Sequence, residues 1–511
     1  MLRSAQGFSR HPPSKNGRSD GACLPNKNNT TSTAIFFAVF FIAWTTFTLF
    51  SKHPGFIDKD TVEVAVWAYS GLSLGHEKHP PLLTWLLYFT STALPLQKST
   101  LTVLAGLNLT LALFATWRVA ILCLGERRAP VALLIYAVTP YLTFHVMKLN
   151  HNAILVSLWP LTVWAYLVTL QRPSFAGALT LGTLASLAML AKYSSILLLA
   201  GIFIASLASV HRHRFYSSLA PYLSAVLFVA LVAPHCIWSL ENGNPGIQYA
   251  VRELHSISTG TWVMLKDNAL NLIPALIASI AAGRAFGWCQ YGDQGNKENL
   301  IQIGIIAALV TIGTITPTVV FGLRGSPTWM MPALPFIAVL LAAFIKPPNW
   351  DQVAKLRRGG LIALAGLCAS APLFLYISFR AGLPSAVEPR REVAEIAADI
   401  WKQVRDDDLR VVGGDYHTAR LVALASKGRA SVWPLADRTS PEWSRLERHG
   451  ALIICAQRDT ACQHTGAELV RRLGGLTREV TVSRTLWGSR SRNVRANVYV
   501  VAQSARQSNL P

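Results

Sequence analysis

Acidic residues are scarce in this 511-residue chain: 26 Asp and Glu stand against 47 Lys and Arg, and charged residues of either sign make up only 14%. With 51% hydrophobic residues and a positive mean hydropathy, that shortage excludes an ordinary soluble enzyme of this size and leaves an integral membrane protein. Cysteine is sparse as well. The seven are scattered, and no pair has the CxxC spacing of a zinc or redox site. Cys123, Cys236 and Cys368 fall in apolar runs and read as small core residues. Cys455 and Cys462 lie in a polar tail, where an oxidising compartment permits a disulfide. No internal repeat is found, which argues against a transporter built from paired halves. The first apolar run lacks a small-residue cleavage site and reads as an uncleaved anchor.

What is present is a succession of membrane-length apolar runs. About eleven candidates occur, near 33–50, 101–123, 129–145, 153–170, 175–191, 193–210, 217–238, 267–283, 300–322, 329–345 and 360–379. The formal charge of +21 does not point to nucleic acid, because the cations cluster between these runs and in the tail, as topology determinants do. A basic leader with Arg3, Arg10, Lys15, Arg18 and Lys27 keeps the N-terminus cytoplasmic. The expected organisation is a cytoplasmic tail over 1–31, a mainly α membrane region over 32–380 and an α/β domain on the noncytoplasmic face over 381–511. In that last part a helical pattern over 389–405 precedes alternating pieces, including the continuous apolar strand Ala451-Leu452-Ile453-Ile454. The segment 80–96 starts with two prolines and reads as an interfacial helix.

The few carboxylates gather after the first run, in Asp58-Lys59-Asp60-Thr61-Val62-Glu63 and at Glu77. At a bilayer surface ionisable groups are costly unless they have work to do. Asp60, Glu63, Val64 and Trp67 fall at i, i+3, i+4 and i+7, one face of a helix. A carboxylate beside apolar surface binds its proton more tightly and suits a general base; Asp58 competes for that role. His79-Pro80-Pro81 is a rigid corner. His79, His76 and Glu77 are weak candidates to hold a divalent cation, with the hydrogen-bonded structural corner as the plainer reading. Lys192 interrupts an apolar stretch, where it either faces an anion or snorkels from a span end. Lys148, Asn150, His151 and Asn152 crowd a short loop on the same side, and Arg324 is a second phosphate or acidic-sugar candidate.

Taken in order, several segments resemble the polytopic lipid-phosphate-sugar glycosyltransferases of the protein O-mannosyltransferase and aminoarabinose-transferase superfamily, including rhizobial galacturonosyltransferase-like members. They are Asp60-Thr61-Val62-Glu63, Leu74-Gly75, Lys78-His79-Pro80-Pro81-Leu82, Thr139-Pro140, Lys148-Leu149-Asn150-His151-Asn152, Leu158-Trp159-Pro160-Leu161, Ala188-Met189-Leu190-Ala191-Lys192-Tyr193 and Pro327-Thr328-Trp329. The resemblance implies a GT-C fold with its site on the noncytoplasmic face, Asp60 as the catalytic acidic residue and Lys192 near a lipid phosphate. It implies transfer of a sugar from a polyprenyl-phosphate donor to a hydroxyl of a lipid or glycan, with Glu63, His79, Asn150, Asn152 and Arg324 around the substrates. Asn150 and Asn152 stand where the family commonly carries an acidic residue. The residues themselves leave two rivals open: a noncatalytic binder of lipid-linked glycans with the same fold, and a polytopic flippase.

Overall fold

The computed structural model describes residues 27–252, 257–291, 295–321, 326–426, 430–433, 435, 441–491 and 493–503. The leader up to residue 26, the end after 503, and Arg324 lie outside the described residues. Among those described, seven helices are long and apolar enough to cross a membrane: Thr33–Phe50, Lys98–Leu124, His151–Gln171, Ala220–Glu241, Thr261–Phe286, Lys297–Val320 and Trp350–Arg380. Ala129–Ala137 and Tyr141–Lys148 form an eighth only as a pair bent by 68°. The remaining three expected spans are helical but short, at Phe175–Ala191, Ser195–Ala208 and Thr328–Ala342. At 1.5 Å per residue, 17 and 14 residues reach about 26 and 21 Å, less than a ~30 Å hydrocarbon core.

The short helices break where they deliver side chains to one end of the bundle. In the bent pair, Pro140 follows the first helix, a π turn (Tyr141–His145) and a 3-10 turn (Val146–Lys148) come next, and Leu149 takes a left-handed φ of 45°. At the other end Arg128, expected as a topology charge, is fully buried and donates to the carbonyls of Ala343 and Ile345 at 3.2 and 3.3 Å.

The first span runs into a loop fixed by Lys98. Its ammonium donates to the carbonyls of Leu49, Lys52 and His53 at 2.8, 2.9 and 3.0 Å, capping a helix end that otherwise leaves its carbonyls orphaned. The loop carries two helices, Lys59–Tyr69 and Leu82–Ser91. The second leaves Leu86 and Phe89 exposed, as an interfacial helix does.

After Arg380 the chain becomes α/β. The strands are β1 (Val411–Gly414), β2 (Ser431–Trp433), β3 (Ala451–Ala456), β4 (Gly475–Val482), β5 (Thr485–Leu486), β6 (Ser489–Arg490) and β7 (Val494–Val501). Five form a sheet in the order β2-β1-β3-β7-β4, parallel among β2, β1 and β3 and antiparallel beyond. The apolar run expected as a strand is the central β3, buried from Ala451 to Cys455. Cys455 on β3 is bridged to Cys462 on the following helix. Of the other three cysteines read as core, only Cys123 is buried; Cys236 is exposed, and Cys368 is half-buried with its thiol donating to the Ala43 carbonyl of the first span at 3.5 Å.

The helix Tyr416–Ala425 packs this domain against the loop helix Lys59–Tyr69. Its entry depends on Gly414, at φ +123°, where a Cβ would stand 1.8 Å from the Ile454 carbonyl oxygen. Asp415 then caps the helix, accepting from the Thr418 N–H at 3.0 Å and pairing with Arg390 at 2.8 Å.

Candidate active site

The two aspartates of the acidic loop are separated by their places on one helix. Asp58 is the N-cap of Lys59–Tyr69: its backbone is extended, its carboxylate accepts from the Asp60 N–H at 3.2 Å, and Lys148 Nζ lies 3.6 Å away. Its capacity is committed to the cap and that ion pair. Asp60 follows in the first turn, where the helix dipole favours an anion. Its Oδ2 accepts from Asn150 Nδ2 at 3.2 Å. The Asn150 amide is used at both ends, since its Oδ1 caps the next span by accepting from the Ala153 N–H at 2.9 Å. Thr61 donates to the Lys148 carbonyl and pins the same corner.

Lys192 sits in extended backbone between Phe175–Ala191 and Ser195–Ala208, so its side chain turns toward the start of His151–Gln171 where the two helices part. Its ammonium donates to Asn152 Oδ1 and lies 5.6 Å from the centre of the Trp329 ring. Asn152 in turn donates to Thr328 Oγ1 at 3.0 Å, and Thr328 bonds Ser326 at 2.8 Å. Asp60 is near enough for its charge to act on Lys192. Asp60, Asn150, Asn152 and Lys192 are therefore one constellation, drawn from three parts of the chain. Trp329, readable from sequence as an ordinary interfacial tryptophan, belongs to it.

The proline corner turns His79 inward. Its ring packs on His151 with centroids 3.9 Å apart, its Nδ1 is buried without a partner, and His151 Nδ1 bonds the Ala191 carbonyl at 2.9 Å. Burial, followed by the neighbouring cations, pushes His79 well below the ordinary imidazole value, so it is neutral near pH 7. His76 stacks parallel on Trp67 at 4.5 Å, and burial lowers it to about 4. Glu77 points into solvent while His79 points inward. Among the described residues no group of three His, Cys, Asp or Glu side chains is arranged to hold a metal ion.

Glu63 is the best-partnered carboxylate in the loop. It is 4% exposed, its Oε2 lies 2.7 Å from Lys78 Nζ, and its Oε1 accepts from Arg420 Nη2 at 2.7 Å and from the Tyr416 hydroxyl at 2.6 Å. Two cations and a hydroxyl saturate it. Arg420 stacks on the Tyr416 ring at 3.3 Å, and its Nη1 is buried with no hydrogen-bond partner. Arg420 was not foreseen, because its partner lies 357 residues earlier. The available signal was an arginine among the apolar positions of Ala419-Arg420-Leu421-Val422, which burial requires to be paired.

Residues 78–238 match the family model described as dolichyl-phosphate-mannose-protein mannosyltransferase. No curated protein matches the chain. Among solved structures, the chain is similar to ArnT from Cupriavidus metallidurans bound to undecaprenyl phosphate, with a TM-score of 0.62 and 15% identity over 93% of this chain and 98% of that one. It is also similar to the same organism's ArnT in the apo state, with a TM-score of 0.61 and 16% identity over 92% and 98%.

Proposed function

Taking as premise that this chain has the GT-C glycosyltransferase fold, we propose that it moves a sugar from a polyprenyl-phosphate donor to a hydroxyl of a lipid or glycan acceptor. The observation that carries the reading is Asp60, held by Asn150, with the Lys192 cation held by Asn152 two residues on and near enough for the two charges to interact. Asp60 accepts the acceptor hydroxyl's proton as that oxygen attacks the anomeric carbon. Lys192, fixed by Asn152, stabilises the charge that develops on the departing lipid phosphate. The ArnT crystal structure was solved with undecaprenyl phosphate, which supports a lipid phosphate in this role.

Glu63 holds Lys78 and Arg420 in place, and the unpartnered Nη1 of Arg420 is a donor for a substrate oxygen. Neutral His79 lines the same corner beside Lys78 and Lys192. The step is a single displacement with inversion: retention requires a second free carboxylate as nucleophile, whereas Asp58 caps its helix and Glu63 is saturated. The acidic loop and the α/β domain lie at the noncytoplasmic face, since the opposite links carry most of the loop Lys and Arg.

The test is purified protein in liposomes supplied with a panel of labelled polyprenyl-phosphate sugars and a membrane glycolipid extract. Label moves into the lipid or glycan fraction with inverted anomeric configuration. Binding of polyprenyl phosphate with no transfer from any donor overturns the reading in favour of a noncatalytic binder.

A further inference from the structure

At the end of the bundle away from the acidic loop, a cavity of about 530 Å³ opens between the first span, Lys98–Leu124, Ala129–Ala137 and Trp350–Arg380. Phe36, Phe37, Phe40 and Trp44 from the first span line it, with Trp117 opposite. The wall formed by Trp350–Arg380 is flattened by Gly359 and Gly360. A Cβ at Gly359 would meet nothing within 4 Å, so the slot is open there.

Its two ends differ. One end holds Lys355, which is exposed, and Arg357, whose Nη2 donates to Thr33 Oγ1 at 3.3 Å. The other is closed by Trp44 and Val138 and carries no charge. Thr33 to Trp44 is a helical rise of about 16 Å, close to half of a ~30 Å hydrocarbon core. The slot is therefore one leaflet deep, aromatic along its length and cationic only at the headgroup level.

From that charge placement and depth we infer that this slot is a binding site for one anionic phospholipid of the adjacent leaflet. One acyl chain lies along the first span's aromatic face, and the phosphate sits between Lys355 and Arg357. The site is separate from the transfer chemistry and does not depend on it.

Full-length protein reconstituted in nanodiscs of equal phosphatidylglycerol and phosphatidylcholine, then released for native mass spectrometry, tests this. One phosphatidylglycerol is retained over phosphatidylcholine by on the order of tenfold, and Lys355→Gln lowers that preference by about fivefold. Gly359→Trp fills the slot and removes the retained lipid. Equal retention of the two lipids, or a preference unchanged by Lys355→Gln, overturns the inference whether or not the tryptophan variant folds.

Discussion

At the scale of single residues, the acidic loop divides three carboxylates among three jobs. Asp58 shapes the helix, Asp60 is held by Asn150 in the place proposed for the base, and Glu63 neutralises two cations. Asp58→Asn keeps an N-cap, because asparagine caps as well as aspartate, and is expected to retain transfer within about tenfold of wild type in the liposome assay. Glu63→Gln leaves buried Arg420 and half-buried Lys78 beside a neutral amide. It is expected to destabilise the solubilised protein by about 3 kcal/mol, read as a lower thermal-shift midpoint. The histidines set the pH response. Burial lowers His76 to about 4, burial and the nearby Arg484 lower His53 to about 4, and His79 lies well below 6.5. Each takes up a proton more readily in the unfolded chain, so the stability they support is complete above pH 6.5 and is lost as pH falls from there toward 4. Glu392 and Asp415 are held below 4.5 and 3.8 and act only in more acidic solution. The thermal-shift midpoint is therefore expected to fall steadily from pH 7 to pH 5.

At the scale of elements, much was legible because local pattern dictates local structure. The i, i+3, i+4, i+7 spacing from Asp60 to Trp67 became the helix Lys59–Tyr69, and the run Ala451 to Ile454 became the central strand. Spans were visible by hydropathy, but their breaks were not. Lys192 reads the same in a straight span as at the parting of two short helices, and only packing shows that Asn152 and Trp329 meet it. The helix Pro441–His449 was not anticipated although Ser440-Pro441-Glu442 is a helix start signal, because the stretch is dominated by charged residues with few apolar positions to show its period. The Cys455–Cys462 bridge joins β3 to the next helix with Cα atoms 5.6 Å apart. Alkylation without reductant, followed by peptide mass analysis, is expected to leave both thiols unmodified, and with reductant to modify both. Modification of both without reductant would show that the bridge does not form.

At the scale of the whole molecule, the site is shared between the membrane region and the α/β domain. Arg420 and Tyr416 reach Glu63, His417 bonds the Ile57 carbonyl at 3.2 Å, and Arg484 pairs with Glu392 at 2.8 Å beside His53. The domain therefore completes the polar shell around the loop. Arg420→Met is expected to cut transfer by at least tenfold while the protein still inserts in membranes, measured as rate per inserted protein. The central claim is that Asp60 is the base of a lipid-phosphate sugar transferase, and the most direct measurement is the initial transfer rate of Asp60→Asn in liposomes beside wild type and Asp58→Asn. The account predicts a loss of at least ~10²-fold for Asp60→Asn, with an unchanged thermal-shift midpoint and little change for Asp58→Asn. Undiminished transfer by Asp60→Asn, or a loss confined to Asp58→Asn, would contradict it.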